Sequence, residues 1–300
     1  MDEPKAAEFY VSSNKFSAAG FTIAVLGAAA AGLALGFAYG CVQVLMPILY
    51  VCFLVTVVFG AVLGQVVFHV VKLGQVRHRG VASAAVGVGA LTGLYGAWVA
   101  DRFVRLKMLH VEGIDLSFSP SELLRYMEVF LDHGFWSLLH GAPLFGFPLL
   151  LIWLAEAGII FALALKRARK KVGETAYCEG CHRWTRTSRG VRSLMPNTSH
   201  GLTQDLKKGN IQAIHQVIPT SPGAPLSLRL DLHQCSTCAD SVFLSLSVVS
   251  GGTKFREFVW PEEKPLLRHL RIAPADADAL RARQKLAQIV VPGKTRPPKN

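Results

Sequence analysis

The sequence predicts a membrane protein in two parts: an all-α bundle of four transmembrane helices, then a small cytoplasmic α+β domain. Two observations carry that reading. From Phe16 to Val71 no side chain is fully charged while His69 is neutral, a stretch longer than a soluble core helix has use for. The charges are also segregated: residues 1–165 hold nine Lys and Arg against ten Asp and Glu, and residues 166–300 hold 23 against ten, so the net charge of +12 lies in the second half. With 51% hydrophobic residues, a water-soluble chain of this size would expose large apolar patches. A bilayer removes that difficulty.

One span needs about 20 apolar residues. The first is expected over 16–38, with Tyr39, Gly40 and Cys41 as a tight exit, and the second over 45–71. The third and fourth are expected over 81–100 and 145–165. Residues 1–15 form an N-terminal segment whose Asp2, Glu3 and Glu8 suit a secretory signal poorly, so it is expected to stay uncleaved. Lys72, Arg77 and Arg79 follow the second span, and Lys166, Arg167, Arg169, Lys170 and Lys171 follow the fourth. By the positive-inside rule both groups face the cytoplasm, which puts both termini there, in an inner membrane of prokaryotic type.

The loop 101–144 is then external. Arg102, Arg105 and Lys107 oppose that placement, and its four basic residues against six acids favour it only weakly. Within it Ser119, Pro120 and Glu122 match a capping box with proline at the first helical position. The helix that follows segregates Leu123, Leu124, Met127 and Leu131 from Glu122, Arg125, Glu128 and Asp132. That pattern suits either an interfacial helix or one packed on the span ends.

Glycines recur at fourfold spacing, Gly32, Gly36 and Gly40, then Gly60 and Gly64, then Gly89 and Gly93. Such spacing lets backbones approach closely, within one bundle or across a homo-oligomer interface. Glu156 lies in the middle of the fourth span. An acid at a helix centre costs about 2.5–3.5 kcal/mol to insert, so Glu156 is expected to turn inward, neutral, and donate a hydrogen bond across the bundle. Thr56 and Thr92 lie at comparable depth, and Gln65 and His69 lie nearer the cytoplasmic face. A transporter or pore using Glu156 is one reading; repeated halves with broken helices, the usual mark of transporters, are missing from the sequence.

In the second half, Cys178-x-x-Cys181 and Cys235-x-x-Cys238 form two hooks. Four thiolates make a closed tetrahedral zinc shell with bonds of about 2.3 Å and no position for water, which is the chemistry of a structural ion. Residues 202–217 between the hooks read as helical. Leu226, Leu228, Leu230 and Leu232 then alternate with polar residues as a strand entering the second hook. Val242, Leu244, Leu246 and Val248 alternate again beyond it, Gly251 and Gly252 turn, and Phe255, Phe258 and Trp260 continue. Two knuckles on hairpin edges resemble the zinc-ribbon class, from which the long insertion between hooks departs. A redox role for either hook lacks a β-α-β setting. His182, His215 and His233 are read as surface or supporting residues rather than ligands, and Cys41 and Cys52 as unpaired apolar thiols of the spans.

Arg183, Arg186, Arg189 and Arg192 follow the first hook at intervals of three, beside Trp184. With Lys166, Arg167, Arg169, Lys170 and Lys171 they suit an anionic membrane surface, where each basic residue contributes about 1 kcal/mol, better than nucleic acid. Residues 261–263 and Pro274, Asp276 and Asp278 are read as two helix starts, and 293–300 as disordered. The chain carries no G-x-x-x-x-G-K-S/T, H-E-x-x-H or G-x-S-x-G, so an enzyme is the minority reading. The preferred expectation is a zinc-stabilised adaptor or regulatory head on a membrane anchor, with a protein partner at the head. A transporter or pore and a membrane-tethered nucleic-acid binder stand behind it.

Overall fold

The computed structural model describes residues 7–46, 48–111, 113, 115–134, 144–194, 199–216, 226–238, 240–250 and 263–290. The chain divides into two compact units, one of residues 13–173 and one joining residues 1–12 to 174–300.

The first unit holds α1 (Ala18–Leu45), α2 (Leu49–Leu73), α3 (Arg79–Met108), α4 (Pro120–His133) and α5 (Gly146–Glu174), the last ending at the junction of the units. Four of these, all but α4, are long and apolar enough to cross a membrane. Their outer faces carry large, exposed apolar side chains: Leu26 is 63% exposed, Leu91 70% and Leu154 60%. Their inner faces are small and closed, with Ala28, Leu63, Val67, Ala85, Ile160 and Ala164 fully buried.

The glycines explain how the backbones meet. A Cβ on Gly32, Gly36 or Gly40 of α1 would lie within 2.3 Å of the carbonyl oxygen of Gly89, Gly93 or Ala97 of α3, respectively. One α1 face therefore lies directly on α3. The approach of α2 to α5 is looser: a Cβ on Gly64 would lie 2.6 Å from the Ala164 carbonyl oxygen, and one on Gly60 3.1 Å from the Ile160 carbonyl oxygen. The fourfold spacing serves the packing of this chain on itself, where dispersion acts through backbone contact.

Three helix ends differ from the sequence reading. Tyr39, Gly40 and Cys41 are not an exit: α1 runs on to Leu45 because Gly40 continues the glycine face and Tyr39 is buried inside the bundle. The third helix runs eight residues past Ala100, to Met108. There Asp101, 6% exposed, accepts from Arg105 Nε at 3.0 Å one turn on, so the charges that marked a loop are matched within the helix. Likewise the fourth span does not end at Leu165: α5 continues through the basic run Lys166–Lys171 to Glu174.

Helix α4 starts at Pro120 after Ser119, but no capping box forms. The Glu122 carboxylate pairs with Arg102 at 2.8 Å instead, and Ser119 Oγ meets Ser121 Oγ. Of its apolar residues Leu123 is buried and Leu124 is 61% exposed. Tyr126 donates to Asp101 Oδ2 at 2.8 Å and Phe130 lies under the Arg105 guanidinium, so α4 is fastened to the end of α3. Burial and then the Asp101 carboxylate push the Tyr126 phenol above its usual range. Residues 135–143 of the expected loop lie outside the described residues.

The second unit is an antiparallel sheet with helices on one face. A two-residue pair, β1 (Tyr177–Cys178) and β2 (Arg183–Trp184), precedes the sheet. The sheet follows the chain in order: β3 (Arg186–Leu194), β4 (Leu226–Gln234), β5 (Val242–Ser250) and β6 (Glu263–Arg271). Opposite residues Leu228↔Val248, Leu230↔Leu246 and Leu232↔Leu244 place one run of leucines on one face. Leu202 and Leu206 of α6 (Ser199–Lys207), Ile214 of α7 (Ala213–Gln216), and Ala277 and Leu280 of α8 (Pro274–Val290) cover it.

The single helix read over 202–217 is two, parted at Gly209, whose φ of +85° a helix does not hold. Position 217 lies outside the described residues. The expected helix opening at residues 261–263 is corrected: from Glu263 the chain is strand β6. Leu267 and Leu270 bury themselves there, and pairing with β5 satisfies a backbone that local helix signals could not. The helix read from Pro274 is present as α8. The turn at 251–252, the strand read over 255–260 and the tail 293–300 lie outside the described residues.

The N-terminal segment adds to the sheet edge, which no sequence signal announced. Phe9 pairs with Leu270, Tyr10 N–H donates to the His269 carbonyl at 2.9 Å, and Arg271 N–H donates to the Glu8 carbonyl at 2.8 Å.

Candidate functional site

The turn of the β1/β2 pair carries Cys178 and Cys181, and the turn from β4 to β5 carries Cys235 and Cys238. The two turns bring all four sulfurs within 4.8 Å of one another. Cys178 Sγ and Cys238 Sγ are 3.6 Å apart, too far for a disulfide and close to the edge, about 3.8 Å, of a sulfur tetrahedron around an ion with 2.3 Å bonds. Positive φ at His182, +50°, helps the chain turn beyond the first hook. Thr237 N–H donates to Cys235 Sγ at 3.4 Å, and the Cys178 thiol donates to Ser241 Oγ at 3.2 Å.

Electrostatics agree with a metal-ligating set. Partial burial pushes the Cys235 thiol up, but donors from the backbone at Cys238 and Thr237 outweigh it and bring the pKa down to about 6. A hydrogen bond with Cys238 pushes Cys181 up to about 12 and Cys238 itself down. Four sulfurs this close compete for protons, and a divalent cation would replace them all with one charge. The residues fit a metal ion bound through four thiolates, with no position left for water.

His182, His215 and His233 are not in the cluster. His233 is buried on the sheet face opposite the leucines, its Nδ1 at 2.9 Å from Thr187 Oγ1 and its Nε2 at 2.9 Å from Ser245 Oγ. Burial and then the neighbouring His269 lower its pKa to about 4. Beside it Asp231 accepts from Arg229 and from the Gly190 N–H at 2.8 Å. Arg183, Arg186 and Arg189 are exposed on β2 and β3.

Within the helical unit, Glu156 turns inward as expected, but its partners differ. Tyr39 hydroxyl and Gln43 Nε2, the latter at 2.9 Å, both donate to its Oε1. The carboxyl therefore accepts where a donated hydrogen bond was expected. Tyr39 is also 2.7 Å from Thr56 Oγ1, which donates to the Cys52 carbonyl at 2.9 Å, whereas Thr92 turns back to the Val88 carbonyl of its own helix. Tyr39 and Gln43 escaped the sequence reading because the first span was ended at residue 38. The glycine spacing, which runs on through Gly40, was the signal that they are helical and one turn apart on the same face.

Gln65 and His69 are elsewhere: His69 Nδ1 lies 2.8 Å from the Gln65 carbonyl, and Arg167 Nε donates to Gln65 Oε1 at 3.3 Å. Lys166, Arg167, Arg169 and Lys170 are exposed along α5, with Arg169 Nε donating to Ser83 Oγ at 2.9 Å, and Lys171 is half-buried. Cys41 and Cys52 are free thiols. Comparison with known protein families, curated proteins and solved structures gives no match.

Proposed function

We propose that this chain is an integral membrane protein of an inner membrane, with its C-terminal unit a cytoplasmic zinc-ribbon-like head. The head acts as a membrane-anchored adaptor or regulatory component. One zinc ion on Cys178, Cys181, Cys235 and Cys238 is structural. The carrying observation is the convergence of four sulfurs from two separate turns into one closed shell. Soft thiolates select zinc over hard cations, and a shell without an open position supports folding rather than hydrolysis.

The orientation has two supports. Residues 8–10 pair with β6, so the N-terminal segment and the head belong to one unit, and an even number of crossings separates them. The exposed cations of α5 and those between α2 and α3 would face the cytoplasm, while Arg102 and Arg105 at the opposite end are matched by Glu122 and Asp101.

A photo-cross-linker placed at Arg189 of the full-length protein in native membranes tests the adaptor role. The expected result is one discrete adduct that disappears in Cys235→Ser. No adduct, together with ion flux in liposomes that Glu156→Gln abolishes, would instead support the small transporter or pore. That second reading draws on the polar group around Glu156, and the closed packing of Leu63, Val67, Ile160 and Ala164 weighs against it.

A further inference from the structure

Glu156 sits where two cavities meet. One, of about 50 Å³, is lined by Tyr39, Gln43, Trp98, Asp101, Trp153 and Glu156. The other, of about 390 Å³, is lined by Tyr50, Phe53, Thr56, Ile152, Glu156 and Ile159. The second exceeds by more than twofold an apolar cavity of about 150 Å³ that accepts benzene. Its rim is open to the surroundings of the helices, since Tyr50 is 72% and Phe53 58% exposed.

The chemistry of the two cavities is complementary. In the small one, Trp98 and Trp153 meet edge to face at 4.8 Å beside two carboxyl groups. Asp101 is already matched by Arg105 and Tyr126. Glu156, which lines both cavities, is met only by neutral donors among the described residues, both of them on Oε1. A carboxylate so placed among apolar groups calls for a cation. A hard metal ion would want six or more oxygen ligands, and here Tyr39 and Gln43 already donate to Glu156, Thr56 donates to the Cys52 carbonyl, and Asp101 is held by Arg105 and Tyr126. The aromatic rings suit an organic ammonium group instead.

The site also stops short of being a pathway. Tyr39 stacks on Phe59 at 4.5 Å, and beyond that pair Leu63, Val67 and Ile160 are fully buried, with Gly60 against Ile160. Nothing polar continues the cluster among these residues.

We infer that the Glu156 pocket binds an amphiphilic cation drawn from the bilayer. Its ammonium head lies at the Glu156 carboxylate beside Trp98 and Trp153, and its alkyl chain lies along Phe53, Ile152 and Ile159. This goes beyond the head's proposed role and stands or falls without it.

The test uses full-length protein in nanodiscs of zwitterionic lipid and radiolabelled dodecyltrimethylammonium, with empty nanodiscs subtracted. One saturable site per chain is expected, displaced by the unlabelled cation and not by 1-dodecanol. Glu156→Gln should weaken binding at least about tenfold, as removal of one partner of a desolvated charge pair does. Ile159→Trp, which fills the groove and keeps the acid, should weaken it too, and decides the matter if Glu156→Gln fails to fold. Unchanged affinity in a folded Glu156→Gln, equal displacement by 1-dodecanol, or no saturable binding in the wild type would overturn the assignment.

Discussion

Replacing Gly36 by alanine adds a single methyl group at the closest approach of α1 and α3. The new Cβ would lie 1.9 Å from the Gly93 carbonyl oxygen and 2.6 Å from the Gly93 Cα. That is about 1.5 Å inside ordinary contact, and the obstructing atoms are backbone, which has no rotamer to yield. The two helices must separate, and the contacts at Gly32 and Gly40, one turn to either side, open with them. A gap of about 1 Å already forfeits up to half of each dispersion well, and overpacking costs about 1–3 kcal/mol; rigid backbone places this case near the upper figure. Equilibrium unfolding in mixed detergent micelles, followed by far-ultraviolet circular dichroism, measures it. Gly158→Ala, where nothing lies within 4 Å of the added Cβ, is the control and should be neutral. A Gly36→Ala protein as stable as that control would refute the backbone-contact account of the bundle.

Asp101→Ala removes the acceptor of both Arg105 and Tyr126, so a loss of about 3 kcal/mol and faster proteolysis at α4 are expected in the same unfolding assay. Burial lowers the His269 pKa from its ordinary value of 6.5. The unfolded chain then binds the extra proton first, so the head keeps this stability above about pH 6.5 and loses it as pH falls toward the folded value. His269→Gln should flatten that slope when the two proteins are compared by thermal unfolding at a series of pH values, and identical slopes would exclude the residue as its source. Arg183→Glu with Arg186→Glu should reduce quenching of tryptophan by headgroup-labelled anionic lipid, at about 1 kcal/mol per basic residue replaced. A salt-steep affinity for single-stranded RNA that the same variant loses would point to nucleic acid instead.

The helical unit was legible wherever composition alone decides. A stretch without charge from Phe16 to Val71 and glycines at fourfold spacing contain the spans and their packing faces, because lipid exposure and backbone approach are properties of single residues and short spacings. Helix ends were less legible. Charged Asp101 and Arg105 looked like a loop because their pairing one turn apart reads as polarity until the helix is drawn. The cysteine hooks and the strands on either side of the second were readable from spacing and alternation, both local. Strand β6 was not: Pro261 and the acids after it carry a real helix-start signal, and pairing to β5, a contact absent from any local window, overrides it. The same holds for Tyr39 and Gln43 as partners of Glu156, and for the edge pairing of Phe9.

X-ray absorption at the zinc edge on the purified full-length protein, with metal content measured on the same sample, tests the metal centre most directly. One zinc per chain in a shell of four sulfurs at about 2.3 Å is expected, with Cys235→Ser losing both the ion and the cooperative unfolding of the head. Protein that folds without stoichiometric zinc, or a shell holding fewer than four sulfurs, would contradict it.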